Sequence, residues 1–275
     1  MRNLLTRYRM ATAPSHTYRH SYRRAKTKVG ENNMPRKTLV GTRVAITGGT
    51  YGIGKEAALA FLAVGADVAI GDADIGKVRA ITAQLNRIHG ADAVGLPVEV
   101  TDGVRFAEFL ETAEGRLGGL DVVVNAADVE PTGSFLAESD RESDRQIDIN
   151  LRAVITGSRL AGMRFVEQGH GHIVNIGSAI GVTAALGAAV YCATKHAVVG
   201  LGTALHRGLA EQGVLVSTIA PGYAPDPEAV ADAIVDCVEH RRGGLVVVPP
   251  TGWFRTAMPD PAQLRHTMRR MLGSM

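Results

Sequence analysis

Cysteine is nearly absent: Cys192 and Cys237 are the only two in 275 residues, and they stand in no metal-like spacing. That excludes a disulfide framework, makes a reducing cytoplasm the natural compartment, and leaves both thiols as small packing residues. Long apolar runs are missing too. No stretch approaches the ~20 residues of a membrane span. Acidic residues are missing from Met1–Val29, which holds eight of the 30 Lys and Arg residues. The remaining chain has 22 basic and 27 acidic residues, so the overall charge of +3 becomes −5 once that tail is set aside. The basicity is a property of the tail and gives no reason to expect a nucleic-acid partner. Repeats and low-complexity linkers are lacking as well, so one α/β domain over residues 38–250 is the economical reading.

Residues 1–37 form an Arg-rich segment with neither helical nor strand periodicity, read as a disordered basic tail. It has no apolar core of ~7–15 residues, so it is not a secretory signal. An organelle leader, a weak polyanion-binding arm, and a start codon placed upstream of Met34 are the alternatives. Beyond Leu39, strands alternate with helices. Strands are expected at Val44–Thr47, Asp67–Ile70, Ala93–Val98, Asp121–Val124, His172–Ile176, Val214–Ile219 and Leu245–Val248. Helical patterns fall between them, with a long one over Ser139–Gln168 broken near Asn150. Apolar strands separated by helices predict a doubly wound, Rossmann-like α/β fold with a mostly parallel seven-stranded sheet covered on both faces.

The first strand runs into TGGTYGIG, Thr47–Gly54. Gly48, Gly52 and Gly54 permit a tight strand-to-helix turn and close approach of a diphosphate, with helix amides and the positive dipole end facing it. Asp72 closes the second strand, eighteen residues after Gly54. An acid there accepts hydrogen bonds from ribose hydroxyls and repels a 2′-phosphate. No Arg or Lys stands in the glycine turn or just after Asp72, and Tyr51 occupies its middle. NAD is therefore expected rather than NADP. A solvated strand-end carboxylate is the plainer alternative.

Ser178 follows the fifth strand, with Tyr191 thirteen positions on and Lys195 four further. Tyr191 and Lys195 at i and i+4 share a helix face. An ammonium beside a phenol lowers the phenol's pKa and suits it to general acid/base work. The Ser178 hydroxyl is placed to bind a substrate oxygen whose charge changes. Asn125 follows the fourth strand, where its amide is expected to satisfy exposed backbone groups. Asn150 lies mid-helix, where asparagine competes for backbone hydrogen bonds. It reads either as a kink aiming a carbonyl or water at the site, or as a surface residue. His170, His172, His196, His206 and His240 have no ligand spacing with Cys or carboxylates, so solvated histidines are expected and no metal site.

In joint order these motifs resemble the short-chain dehydrogenase/reductase family from about Leu39 to Gly222. TGGTYGIG fits TGxxxGxG, LDVVVNAAD fits LDVLVNNAG, IDIN supplies an asparagine, NIGS a serine, YCATK the tyrosine and lysine, and IAPG a proline-glycine turn. The resemblance implies a catalytic tetrad of Asn150, Ser178, Tyr191 and Lys195. In it Tyr191 exchanges the proton, Lys195 lowers its pKa and binds the nicotinamide ribose, Ser178 orients the substrate oxygen, and Asn150 holds a relay water. It further implies cofactor binding by Gly48, Thr50, Tyr51, Gly52, Ile53, Gly54, Asp72, Glu99, Val100, Asn125, Tyr191, Lys195, Pro221 and Gly222. The implied activity is NAD-dependent interconversion of a small-molecule secondary alcohol and a ketone by a homodimer or homotetramer. A dinucleotide-binding scaffold with little catalysis is the alternative.

Three departures stand out. Asp128 occupies the place of the family's glycine after Asn125-Ala126-Ala127, which is expected to loosen the support around the adenosine ribose. The stretch after Gly222 enters a helix almost at once, leaving little room for a substrate lid. Residues 251–275 add a basic helix with Leu264, Met268, Met271 and Leu272 on one side. That helix would cover a pocket, pack on a partner or touch a membrane surface.

Overall fold

The computed structural model describes residues 38–87, 92–130, 135–183, 187–222 and 225–249. The readings made for the basic tail and for residues 251–275 lie outside the described residues.

Seven strands form one sheet: β1 Arg43–Thr47, β2 Asp67–Asp72, β3 Ala93–Pro97, β4 Val122–Asn125, β5 Gly171–Ile176, β6 Val214–Pro221 and β7 Gly244–Val248. Their order is β3-β2-β1-β4-β5-β6-β7, and every pairing is parallel. The expected sheet is thus wholly parallel. The central strands β1, β2, β4, β5 and β6 are short, largely apolar runs buried on both faces, as a sheet covered by helices on each side requires, while the edge strands β3 and β7 are only partly buried. Alternation sorts them. Val44, Ile46, Val68, Ile70 and Val124 face one layer with α1 (Gly52–Ala63), α2 (Ile75–Leu85) and α7 (Pro227–Glu239). Ala45, Ala69, Val123, Ile173 and Val216 face the other, with α3 (Gly103–Leu117), α5 (Ala153–Gln168) and α6 (Ala189–Leu209).

Helix starts follow their capping residues. Asp74 accepts from the Lys77 amide at 3.0 Å to open α2. Asp102 accepts from Val104 and Arg105 to open α3. Ser139 and Glu142 make a reciprocal capping box on α4 (Asp140–Ile147), and Asp226 with Pro227 opens α7. Such caps satisfy amides that the helix itself leaves unpaired. The long helical region around Asn150 is continuous rather than broken: a π-helical segment, Asp148–Arg152, joins α4 to α5. Its wider i→i+5 turn is centred on the buried Asn150.

Strand order reverses between β1 and β4. Sheets of this kind bind ligands in the crevice beyond the carboxyl ends of the strands at such a point. In register across that edge lie Thr47, Asn125 and Asn175, the terminal or near-terminal residues of β1, β4 and β5.

Candidate active site

The glycine turn packs backbone against backbone. A Cβ on Gly48 would stand 2.8 Å from the Ala127 Cα, and one on Gly54 would overlap the Gly48 carbonyl oxygen. The Gly49 amide donates to the Gly71 carbonyl at 3.2 Å, which ties the turn to the end of β2. Helix α1 begins at Gly52 with no side-chain cap and no acidic residue in its first turn. Its first amides and positive dipole end are therefore presented to an anion, the donor set a dinucleotide diphosphate needs. Tyr51 is 87% exposed, while Ile53 packs on the core, so Ile53 offers the crevice its amide and not its side chain.

Thr50 is buried and its hydroxyl donates to Asp72 Oδ2 at 2.5 Å; the Asp74 amide donates to Oδ1 at 3.4 Å. Asp72 is held by these bonds rather than left as a loose strand end. A cavity of about 710 Å³ runs from Gly48 and Asp72 past Glu99 and Val100 to Asp128. Glu99 accepts from the Thr101 amide and hydroxyl at 3.2 and 2.7 Å, fixing the turn after β3.

Two asparagines differ from their sequence reading. Asn125 does not serve backbone groups: its Nδ2 donates to Asn175 Oδ1 at 2.8 Å, beside Ser158, beneath the crevice. Asn150 is buried in the π segment, with Oδ1 accepting from the Val129 amide at 2.9 Å and Nδ2 donating to the Val129 carbonyl at 2.8 Å. It clamps the chain one residue after Asp128.

Ser178 lies two residues past β5 and caps a single 3-10 turn, Ala179–Gly181, accepting from the Ile180 amide at 3.2 Å. Its O–H remains a donor for a bound oxygen. Tyr191 and Lys195 project from the first two turns of α6. The Lys195 ammonium is almost wholly buried, donates to the Ile176 carbonyl at 3.3 Å and lies 5.2 Å from the centre of the Tyr191 ring. It also forms an ion pair with Asp128 Oδ1 at 2.9 Å, while Tyr191 Oη donates to Asp128 Oδ2 at 3.1 Å. One carboxylate thus holds both side chains.

This corrects the expectation for Tyr191. Its pKa is raised rather than lowered, first by burial and then by the Asp128 carboxylate, with Glu130 adding to it. The lysine charge is spent on Asp128. The Asp128 side chain, which replaces a glycine, is turned onto the Tyr191–Lys195 pair. The sequence carried that signal, an acid where the resemblance has glycine, but spacing alone does not say which way a side chain points.

Pro221 ends β6, and the Gly222 amide donates to the Val248 carbonyl at 2.8 Å, holding the turn to β7. Helix α7 starts at Pro227, so the connection is as short as its sequence suggests; residues 223–224 within it lie outside the described ones. His172 departs from the expectation of solvated histidines. It is buried, and its Nε2 meets the Ser217 hydroxyl at 2.7 Å. That hydroxyl donates to the Arg242 carbonyl at 2.6 Å, which makes Nε2 the donor to it. Among the described residues no three His, Cys, Asp or Glu side chains group as metal ligands.

A parallel sheet with a glycine turn at its switch point and a tyrosine–lysine pair beside it is the arrangement of a nucleotide-binding α/β fold of the dehydrogenase type. The short chain dehydrogenase family model matches residues 42–232, and the chain belongs to that family. Probable oxidoreductase EphD of Mycobacterium tuberculosis is 35% identical over 272 residues, covering 86% of this chain and 46% of that protein. The chain thus spans about half the length of that relative. The 2,5-dichloro-2,5-cyclohexadiene-1,4-diol dehydrogenase LinX of Sphingobium indicum is 35% identical over 189 residues, 69% of this chain and 75% of LinX. Among solved structures, a metagenomic short-chain oxidoreductase in complex with NADP matches with a TM-score of 0.71 at 28% identity, over 78% of this chain and all of that one.

Proposed function

We propose that the protein interconverts a secondary alcohol and a ketone with NAD as its preferred dinucleotide, and that Tyr191 carries the proton. The observation that carries this reading is the single carboxylate, Asp128, which is shared by Tyr191 Oη and Lys195 Nζ and lines the cavity that also meets Gly48 and Asp72. Asp128 therefore links the phenol and the ammonium to the crevice that the glycine turn also lines. The residues suited to hold the dinucleotide are the α1 amides from Gly52 to Gly54 at the diphosphate, Asp72 at the adenosine ribose, and Glu99 and Val100 near the adenine. Pro221 and Gly222 would border the nicotinamide. When bound, the dinucleotide supplies or takes up the hydride.

The chain's own part is the proton and the geometry. Tyr191 gives its hydroxyl proton to the forming alkoxide, or takes the proton from the alcohol. Ser178 donates a hydrogen bond to the same substrate oxygen. Lys195 binds ribose hydroxyls and offsets negative charge on the phenol. Asn150 acts through Val129, by holding the loop that carries Asp128. A neutral substrate suits a site that already contains a carboxylate. The reading includes a homo-oligomer in the cytoplasm; Met163 on the outer face of α5 is 67% exposed and suits a subunit contact.

The preference for NAD rests on Asp72, locked by Thr50 at the end of β2, where a 2′-phosphate would meet a negative charge. The NADP bound by the metagenomic relative makes this the point to test. Asp72→Ala is expected to narrow the NAD/NADP affinity ratio by tenfold or more, about 1.4 kcal/mol; an unchanged ratio removes Asp72 as the selector. Tyr191→Phe is expected to keep dinucleotide affinity and abolish turnover of secondary alcohols. Undiminished turnover would refute the proton role. A second reading, a dinucleotide-binding scaffold of weak activity, is favoured by the Asp128 contact that occupies Lys195. Tight NAD binding without turnover across alcohols and ketones, in wild type and in Asp128→Gly alike, would decide for it.

A further inference from the structure

We propose that Asp128 is a positioning residue that holds Tyr191 as a neutral proton donor, so that the site is biased toward reducing ketones over oxidising alcohols at neutral pH. The inference rests on the oxidoreductase reading above and adds a direction to it.

The geometry is specific. Asp128 Oδ1 takes the Lys195 ammonium at 2.9 Å, and Oδ2 accepts from the Tyr191 hydroxyl at 3.1 Å. An isolated ammonium beside a phenol favours phenolate; an ammonium whose charge is met by a carboxylate does so far less. The carboxylate also rewards the protonated phenol directly, because only the O–H can donate to it. Its position is not accidental to a floppy loop. Asn150, buried in the π segment, grips both backbone groups of Val129 next door. The Lys195 side chain is 2% exposed and that of Asp128 29%, so solvent screens the pair only in part.

Other charges do not undo this. Glu130 comes from the same loop and also opposes ionisation, while Cys192 and Lys195 lie on Tyr191's own helix. From α4 and the π segment, which pack on α6, Arg141, Asp144, Arg145 and Asp148 line the shared cavity, two of each sign. Asp148 is itself paired with Arg152 at 2.8 Å.

The chemistry follows. In reduction, the ketone carbon gains a hydride from the reduced dinucleotide, the Tyr191 O–H bond breaks, and its proton completes the alcohol O–H. The phenolate left behind recovers its proton from water. In oxidation the phenolate is the form needed, and below the tyrosine pKa its population rises tenfold for each unit by which the pH is raised. A protonated resting tyrosine therefore keeps reduction near its full rate through neutral pH while oxidation climbs with alkalinity.

The test uses the full chain, wild type, Asp128→Asn and Asp128→Gly, each paired with its Tyr191→Phe counterpart. The first readout is phenolate absorbance in an alkaline titration, Tyr191 being isolated by subtracting the Tyr191→Phe curve. Ionisation of Tyr191 is expected to start at least about one pH unit lower in both Asp128 variants, the shift an adjacent charge produces. The second is the ratio of the maximal rates, at saturating dinucleotide and substrate, of cyclohexanone reduction and cyclohexanol oxidation at neutral pH, expected to fall about tenfold in the variants. Titration curves that coincide with wild type in both variants overturn the proposal, as does an unchanged rate ratio. Absence of turnover across a panel of alcohols and ketones, in wild type and in Asp128→Gly alike, defeats the oxidoreductase reading instead, and the titration still decides the role of Asp128.

Discussion

Gly54→Ala is the substitution on which local and tertiary reasoning disagree in sign. Gly54 is the third residue of α1, where alanine is favoured over glycine by about 1 kcal/mol. Helix propensity alone therefore predicts a more stable protein. The added Cβ, however, would overlap the Gly48 carbonyl oxygen and stand 2.8 Å from the Gly48 carbonyl carbon and 3.3 Å from the Gly49 Cα. These are backbone atoms that no rotamer change can move aside. Relief requires the turn to shift by roughly 1 Å, well beyond ordinary van der Waals give. The turn is pinned on both sides: Gly48 lies directly on the Ala126–Ala127 backbone, and the Gly49 amide is bonded to Gly71. Overpacking of this kind costs about 1–3 kcal/mol, which outweighs the gain in propensity. A drop of about 2–6 °C in Tm is expected for a chain of this size. Gly52→Ala makes the contrast. Its Cβ would meet nothing within 4 Å, and its φ of +52° carries only the left-handed penalty of about 1–2 kcal/mol, reduced by the lower entropy of an unfolded alanine chain. Thermal unfolding and NAD titration calorimetry on both variants separate the effects. Gly54→Ala should lose at least tenfold in NAD affinity, because a misplacement of about 1 Å of a pre-organised binding group is costly. A Gly54→Ala protein as stable as wild type with unchanged NAD affinity would refute the packing argument for this turn.

Asp121 closes the foot of the sheet between β1 and β4: it binds Arg43 Nε at 2.8 Å and Nη2 at 3.0 Å, and accepts from the Arg43 amide at 3.0 Å. Asp121→Ala leaves that amide and a part-buried guanidinium without their partner, and should lower stability by about 1–3 kcal/mol in urea unfolding with cofactor affinity preserved; a change too small to measure would show the bridge to be neutral. Burial, aided by Asp236 and opposed by Arg242, pushes the Cys237 thiol up to about 12. It sits in the apolar layer of α7, so iodoacetamide at about pH 8 should modify it only after unfolding, since the thiolate is the reactive form. Rapid labelling of Cys237 in the native protein would contradict the packing of α7 described above.

The frame was legible because its signals are local and periodic. Runs such as VAIT, DVVV and LVVV are too short and too β-branched for buried helices, and Asp74, Asp102, Ser139 and Asp226 mark helix starts in the letters themselves. The mostly parallel sheet was reached through the alternation of apolar strands and helices, whereas strand order and register emerged only in the folded chain. The site was legible only as far as one-dimensional spacing reaches. Tyr191 and Lys195 at i and i+4 had to share a helix face, but the charge that governs them comes from sixty-three residues away, on a loop that spacing cannot aim. The same limit applies to His172, whose buried bond to Ser217 crosses from β5 to β6, and to Asn125, whose partner Asn175 is its neighbour only through sheet register. Elements are written in the chain; electrostatics is written in the contacts between elements. That is why a lysine four residues from a tyrosine suggests an acidified phenol, while the folded protein, with Asp128 between them, holds that phenol neutral. Where a family pattern carries glycine and a chain carries a charged residue, the useful question is which ion pair the new side chain completes. Here the answer is the pair of Asp128 with Lys195, beside the Tyr191 hydroxyl.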